Sequence, residues 1–370
     1  MLTLVPWILA CSGGPLPVAS VQSAQPPPFS VTALPPGETV DGVHREVRDV
    51  VAGELNESPA LAVDASGTLW VAWVELSQGR ERVLVQAGEA APRQVSTGEQ
   101  AWRPVMAAGA DGAVWIAYES GDGLRRSVEV QRLDVAEEPT RVCSGTWCGW
   151  PDLAVAEDGG VHVVWEEEVA PERTRIAHRR LGSQTSVVAE GWLLRRPSVV
   201  TEGAEVHVAY DVLASERPKR DLQLRAPVDP DVDIHMRTWA GTWGPERLVA
   251  GGPGIQAAPD LALGPDGPLL AFHDSSEHGL VKWWVVRSVR GDVRDPMELA
   301  IPAGEQQGAE FPALAVMPGG ALAVVTRSSQ GAYLHVADSD GVHGPYDLTR
   351  AGWGARGVRA SVAVLPDGTL

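Results

Sequence analysis

Three arginines, Arg103, Arg196 and Arg359, and the tryptophan Trp150 stand at one equivalent point of a recurring phrase, each just before a proline or its counterpart. The acids Glu75, Glu119, Glu166, Asp211 and Asp274 stand at a second equivalent point, which Arg327 fills in a sixth copy. Guanidinium groups beside carboxylates can clamp a ligand carboxylate or sugar hydroxyls through charge-assisted hydrogen bonds. Trp102, Trp150, Trp192 and Trp353 could add stacking platforms. The same side chains can instead pair with one another on a crowded rim, and both readings stay open. Ser58, Ala258 and Phe311 complete the first set of positions with no charge of their own.

Catalytic signatures are missing. Glycoside hydrolysis needs two carboxyl groups at a set separation, or a tyrosine nucleophile backed by an acid. Tyr118 and Tyr210 share a repeat position with Trp73 and Trp165, so they read as core aromatics. No GxSxG elbow occurs, and no Gly-rich phosphate loop opens a helix. His162 and His207 are equivalent by register, and with no close second ligand in view they read as structural. Asp229, Asp231 and Asp233 alternate in VDPDVD and could ligate calcium, but the glycine bend and later bidentate acid of a calcium loop are absent. A solvated loop is the expectation, with no metal and no cofactor. Cys143 and Cys148, spaced as CSGTWC, suggest a local disulfide, with two free thiols as the alternative.

The phrase that positions these residues is Pro, an alternating apolar run, a Gly-containing turn, a second apolar run, an aromatic residue and usually an acid. It reads SPALAVDASGTLWVAWVE from Ser58, RPVMAAGADGAVWIAYE from Arg103, WPDLAVAEDGGVHVVWE from Trp150 and RPSVVTEGAEVHVAYD from Arg196. APDLALGPDGPLLAFHD from Ala258, FPALAVMPGGALAVVTR from Phe311 and RASVAVLPDGTL from Arg359 continue the series. The anchors Pro59, Pro104, Pro151, Pro197, Pro259, Pro312 and Ala360 are spaced by 45, 47, 46, 62, 53 and 48 residues.

Two apolar runs joined at Asp-Gly make a hairpin. Third runs such as RVLVQA from Arg82, and short fourth runs such as RQVST from Arg93, give four strands per repeat. That is a propeller blade, and inner runs apolar on both faces suit a sheet held between two neighbours. The expected fold is therefore all-β, a seven-bladed β-propeller of four-stranded blades.

The PxLAVDxxGxxxVA phrase is similar to the NHL repeat, and the repeats resemble those of sialidase-like seven-bladed propellers. The resemblance implies architecture more than activity. The Asp-box SxDxGxTW is absent, since VDASGTLW at Val63 has one residue too many, and no FRIP-like motif supplies the family's first arginine.

Residues 1–11, MLTLVPWILAC, read as an export signal. Ile8-Leu9-Ala10-Cys11 resembles the lipobox of bacterial lipoproteins, which implies a lipid on Cys11. Plain secretion and an accidental apolar start are the alternatives. Residues 12–28 form a flexible linker and 29–370 the propeller. Phe29–Ala52 resembles the last half of a repeat, so the amino end can supply the outer strands of the closing blade and the carboxyl end its inner strand. The chain stops at Asp367-Gly368-Thr369-Leu370, where other copies continue, which reads as a truncation of about one strand or a three-stranded blade.

Among the 370 residues, 30 Lys and Arg against 48 Asp and Glu leave a net charge of −18 with no basic stretch, which excludes a phosphate backbone as partner. No charge-free apolar run reaches the length of a membrane span. The expectation is an exported, lipid-anchored or secreted, monomeric binding module whose ring face takes a glycan or protein ligand without transforming it. A divergent sialidase-like glycoside hydrolase and a structural envelope protein are the alternatives.

Overall fold

The computed structural model describes residues 39–40, 43–44, 56–98, 100–122, 125–143, 145, 147–213, 231–277, 280–286, 296–299, 312–327, 332–347 and 361–364. The chain divides into two units, Met1–Ala52 and Gly53–Leu370. In the first, β1 (Thr39–Val40) and β2 (Val43–His44) form an antiparallel pair. The rest of 29–52, the signal with Cys11, and the chain end at 365–370 lie outside the described residues.

The second unit holds six four-stranded antiparallel sheets among the described residues, each in simple meander order. The first comprises β3 (Asn56–Val63), β4 (Leu69–Ser77), β5 (Arg80–Ala87) and β6 (Arg93–Gln94), and the second β7 (Gln100–Ala108), β8 (Val114–Gly121), β9 (Arg126–Arg132) and β10 (Thr140–Cys143). The third comprises β11 (Cys148–Val155), β12 (Val161–Ala170), β13 (Arg173–Arg180) and β14 (Ser186–Trp192), and the fourth β15 (Arg195–Glu202), β16 (Glu205–Leu213), β17 (Val232–Trp239) and β18 (Arg247–Ala250). The fifth comprises β19 (Gln256–Gly264), β20 (Gly267–Glu277), β21 (Leu280–Val286) and β22 (Pro296–Leu299), and the sixth β23 (Ala313–Val316), β24 (Leu322–Arg327), β25 (Ala332–Ala337) and β26 (Val342–Asp347).

The hairpins close where the sequence places Asp and Gly. Gly112 and Gly159 take φ of 84° and 78°, the left-handed region where a side chain is strained. Asp111 and Asp158 accept the amides of Ala113 and Gly160 at 3.1 and 2.8 Å, which fixes each turn.

Alternate residues of a strand serve opposite neighbours. In β8, Val114, Ile116 and Tyr118 pack with Val74, Val83 and Val85 of the first sheet, whereas Ala117 joins Val163, Trp165 and Leu153 of the third. Likewise Val206, Val208 and Tyr210 of β16 face Val164 and Ile176, while Ala209 faces Leu261, Leu270 and Phe272. The core is therefore a series of layers between consecutive sheets, and the period-two pattern of apolar residues on both faces is what builds it. This is a β-propeller.

The first strands lie side by side, β3 beside β7, then β11, β15, β19 and β23. From β11 to β23, a polar residue directly after the anchor proline links one first strand to the next. Val199 N donates to Asp152 Oδ2 at 2.8 Å, Leu261 N to Ser198 Oγ at 3.0 Å, and Leu314 N to Asp260 Oδ2 at 2.6 Å. Leu61 N donates to Ser361 Oγ at 3.2 Å, so the segment 361–364 occupies the same relation to β3, 300 residues away in sequence. On its other side Val362 packs against the Ala323, Val325 and Leu334 core of the sixth sheet.

Candidate functional site

The cavity at the centre, about 220 Å³, is lined by residues at or just after each of the seven anchors, from Pro59-Ala60-Leu61 round to Ser361-Val362. Its walls are the inner strands, and the candidate residues sit immediately before the anchors. The sequence places them ahead of the strands. The structure corrects this: Arg103, Trp150, Arg196 and Ala258 lie inside β7, β11, β15 and β19, at a bulge.

At each of these bulges the strand register shifts, between Trp102 and Val105 in β7 and between Gly149 and Asp152 in β11, for example. Ser58, Arg103, Trp150, Arg196 and Ala258 have φ of 53°, 47°, 51°, 50° and 56°. A non-glycine residue here costs about 1–2 kcal/mol, and five in register need a common compensation. An acid supplies it at three of them. Trp150 N donates to Glu119 Oε1 at 2.8 Å, the Arg196 amide donates to Glu166, and Ala258 N donates to Asp211 Oδ1 at 3.0 Å. Each acid lies within the second strand of one blade and receives the bulge amide of the next.

Blades two and four add an arginine of their own. Arg103 Nη1 lies 2.9 and 3.0 Å from the two oxygens of Glu119, Arg126 Nη1 lies 2.9 Å from Oε2, and Arg196 Nε donates to Asp211. The guanidinium of Arg103 stacks 4.1 Å from the ring centroid of Trp150, and that of Arg126 lies 4.6 Å from Trp102. The indole N–H of Trp102 donates to Glu81.

Blade three has Trp150 where blades two and four have arginine, so Glu166 lacks that partner. Its Oε2 has no hydrogen-bond partner among the described residues. Burial pushes the Glu166 carboxyl up to about 8, with Arg195 pulling against the rise and the neighbouring Asp211 adding to it. Asp211 is raised to about 6 by burial, opposed by Arg196. His273, close to Arg196 and Asp274, is held neutral: burial lowers it to about 4.

Glu75 is half-buried and lies across the β4–β5 ladder from Arg82. Asp274 Oδ1 accepts from Gln256 Nε2 at 3.0 Å. Trp192 sits at the end of the outer strand β14 instead of in an entering loop. Tyr118 and Tyr210 are fully buried; their hydroxyls donate to Glu129 at 3.1 Å and Glu246 at 2.5 Å, and burial raises both phenols. Asp231 and Asp233 accept the amides of Gly254 and Gly252 at 3.1 and 3.2 Å. Cys143 and Cys148 are joined in a disulfide, Cα atoms 6.5 Å apart, tying β10 to β11 across two blades. Phe311, Arg359, Trp353, Asp229 and the Arg327 side chain lie outside the described residues.

No family model matches the sequence, and no curated protein is a significant match. Solved structures do match. The β-propeller domain of the trilobed protease from Pyrococcus furiosus aligns with TM-score 0.50 and 12% identity over 83% of this chain and 88% of that one. A protein of unknown function from Dyadobacter fermentans gives TM-score 0.50 and 8% identity over 73% and 90%. A thermostable family-43 glycoside hydrolase gives TM-score 0.40 and 11% identity over 68% and 96%. At these identities the likeness is one of fold.

Proposed function

We propose that the chain is a seven-bladed propeller, exported and anchored through a lipid on Cys11, whose inner-strand rim binds a glycan without transforming it. Segments from all seven repeats around one cavity support the blade count. A disulfide at Cys143–Cys148 suits an oxidising, extracytoplasmic setting. The net charge of −18 argues for a monomer that repels nucleic acid.

The observation that carries the binding role is the Arg103–Trp150 and Arg126–Trp102 pair of stacks around Glu119. Two guanidinium groups lie against two aromatic faces, and sugars bearing a carboxylate match both features. The rim acids are engaged in holding neighbouring blades, which favours binding over hydrolysis. A glycan array on the mature protein should therefore return acidic glycans, and Arg103→Gln, still folded by circular dichroism, should weaken the best of them at least about tenfold. An array without hits, or capture of a protein ligand insensitive to Arg103→Gln, would reject the glycan assignment.

One feature favours the alternative of a sialidase-like glycosidase: Glu166 keeps its proton at neutral pH, as a general acid must. Turnover of aryl-glycosides that disappears in Arg196→Ala would establish that reading in place of the first.

A further inference from the structure

We propose that Glu202, Glu205 and His207, at the hairpin joining β15 to β16, form a site for a divalent transition-metal ion of the zinc type. One ligand atom from each, the imidazole nitrogen and two carboxylate oxygens, lie within 4.8 Å of one another. The hairpin makes the cluster. Glu202 pairs with Glu205 across the turn, and Glu205 and His207, two residues apart on one strand, share a face.

Two further features point to a metal rather than to a chance meeting of acids. His207 Nδ1 is 3.0 Å from Thr238 Oγ1 on the adjacent strand β17. When Nδ1–H donates to that oxygen, the lone pair falls on Nε2, the arrangement in which metal-binding histidines are held by an outer partner. Nε2 then faces Glu202 Oε2 at 3.5 Å and Glu205 Oε2 at 3.6 Å. These separations exceed a strong hydrogen bond of about 2.7–3.2 Å. They lie near the ~3.3–3.4 Å edge of a tetrahedron whose bonds to the ion are about 2.0–2.1 Å.

Exposure is graded as such a site requires. The His207 side chain is 3% exposed and fixed in the blade, whereas those of Glu202 and Glu205 are 27% and 43% exposed and give an ion access from solvent. One nitrogen and two oxygens suit a borderline cation more than calcium, which prefers six or more oxygens, and a water would complete four-coordination. The ion would clip the turn between the two inner strands of blade four.

Isothermal titration of the EDTA-treated full chain with zinc chloride tests this. One ion per chain is expected, with a dissociation constant of about 10 μM or below. His207→Ala should weaken it about 100-fold and Thr238→Val about 10-fold, the latter through loss of the outer partner. Glu205→Gln, at an exposed position that leaves folding intact, should also weaken it at least about tenfold. No heat of binding up to about 100 μM zinc, or unchanged affinity in Glu205→Gln, would overturn the proposal.

Discussion

Glu119→Ala is expected to lower the unfolding free energy by about 3–5 kcal/mol, the loss that follows when one member of a buried ion pair is removed. Glu119 is wholly buried, receives two guanidinium groups, and accepts the bulge amide of the following blade at 2.8 Å. Alanine would leave Arg103 and Arg126 facing one another without their shared anion and would strand the Trp150 amide. Glu75 holds the equivalent place in blade one but is half-buried, so Glu75→Ala should stay within about 1 kcal/mol. Urea denaturation of the two variants beside the parent measures both. Equal losses would show that the acid-to-amide link between blades contributes nothing particular to stability.

Glu166→Gln is expected to act in the opposite direction, and only at higher pH. Burial raises the carboxyl from an ordinary 4.5 to about 8 in the folded chain. A raised folded value means that the native state holds a proton that the unfolded state releases. The stabilisation is complete below about pH 4.5 and is lost as pH rises through about 8. Each unit of difference is worth about 1.4 kcal/mol, so the parent should lose a few kcal/mol between pH 5 and 9 through this one group. Glutamine keeps an oxygen for the Arg196 amide and cannot ionise, so the variant should match the parent near pH 5 and exceed it at pH 9. Parallel stability profiles for the two chains would contradict the assignment of a protonated Glu166.

The two acids behave differently because of one residue each, and that difference shows which parts of the site could be read in the sequence. Register alone aligns Glu119, Glu166 and Asp211, and it also shows that Trp150 replaces the arginine found at 103 and 196. Which amide each acid would meet was not legible, because the partner belongs to the next blade: Trp150 is 31 residues from Glu119, and Ala258 is 47 from Asp211. The left-handed bulge before the anchor was hidden as well, since a residue preceding proline ordinarily favours extended backbone. Arg103 and Arg196 fall ahead of the strand when the proline is taken as its first residue.

The fold was legible for a more physical reason. Strands covered on both faces need apolar residues at consecutive positions, and runs such as VHVVW from Val161 and EVHVAY from Glu205 carry them between Gly-containing turns. The sequence carries a second signal: a small polar residue follows the anchor in WPD, RPS, APD and RAS, and these side chains are the links between first strands. His207 has no ligand at motif spacing in the sequence, yet Glu205 stands two positions before it on the same strand face. Only the turn geometry brings Glu202 to join them.

The architecture rests on the first strand of the ring lying against the last segment of the chain. Hydrogen exchange at the Leu61 amide, followed by mass spectrometry on the peptide that contains it, tests this most directly. In the parent chain that amide should be protected by Ser361 Oγ, and Ser361→Ala should speed its exchange about tenfold while leaving the Val199 amide, held by Asp152, unchanged. Exchange at Leu61 that is indifferent to a substitution 300 residues away would contradict a ring closed at this seam.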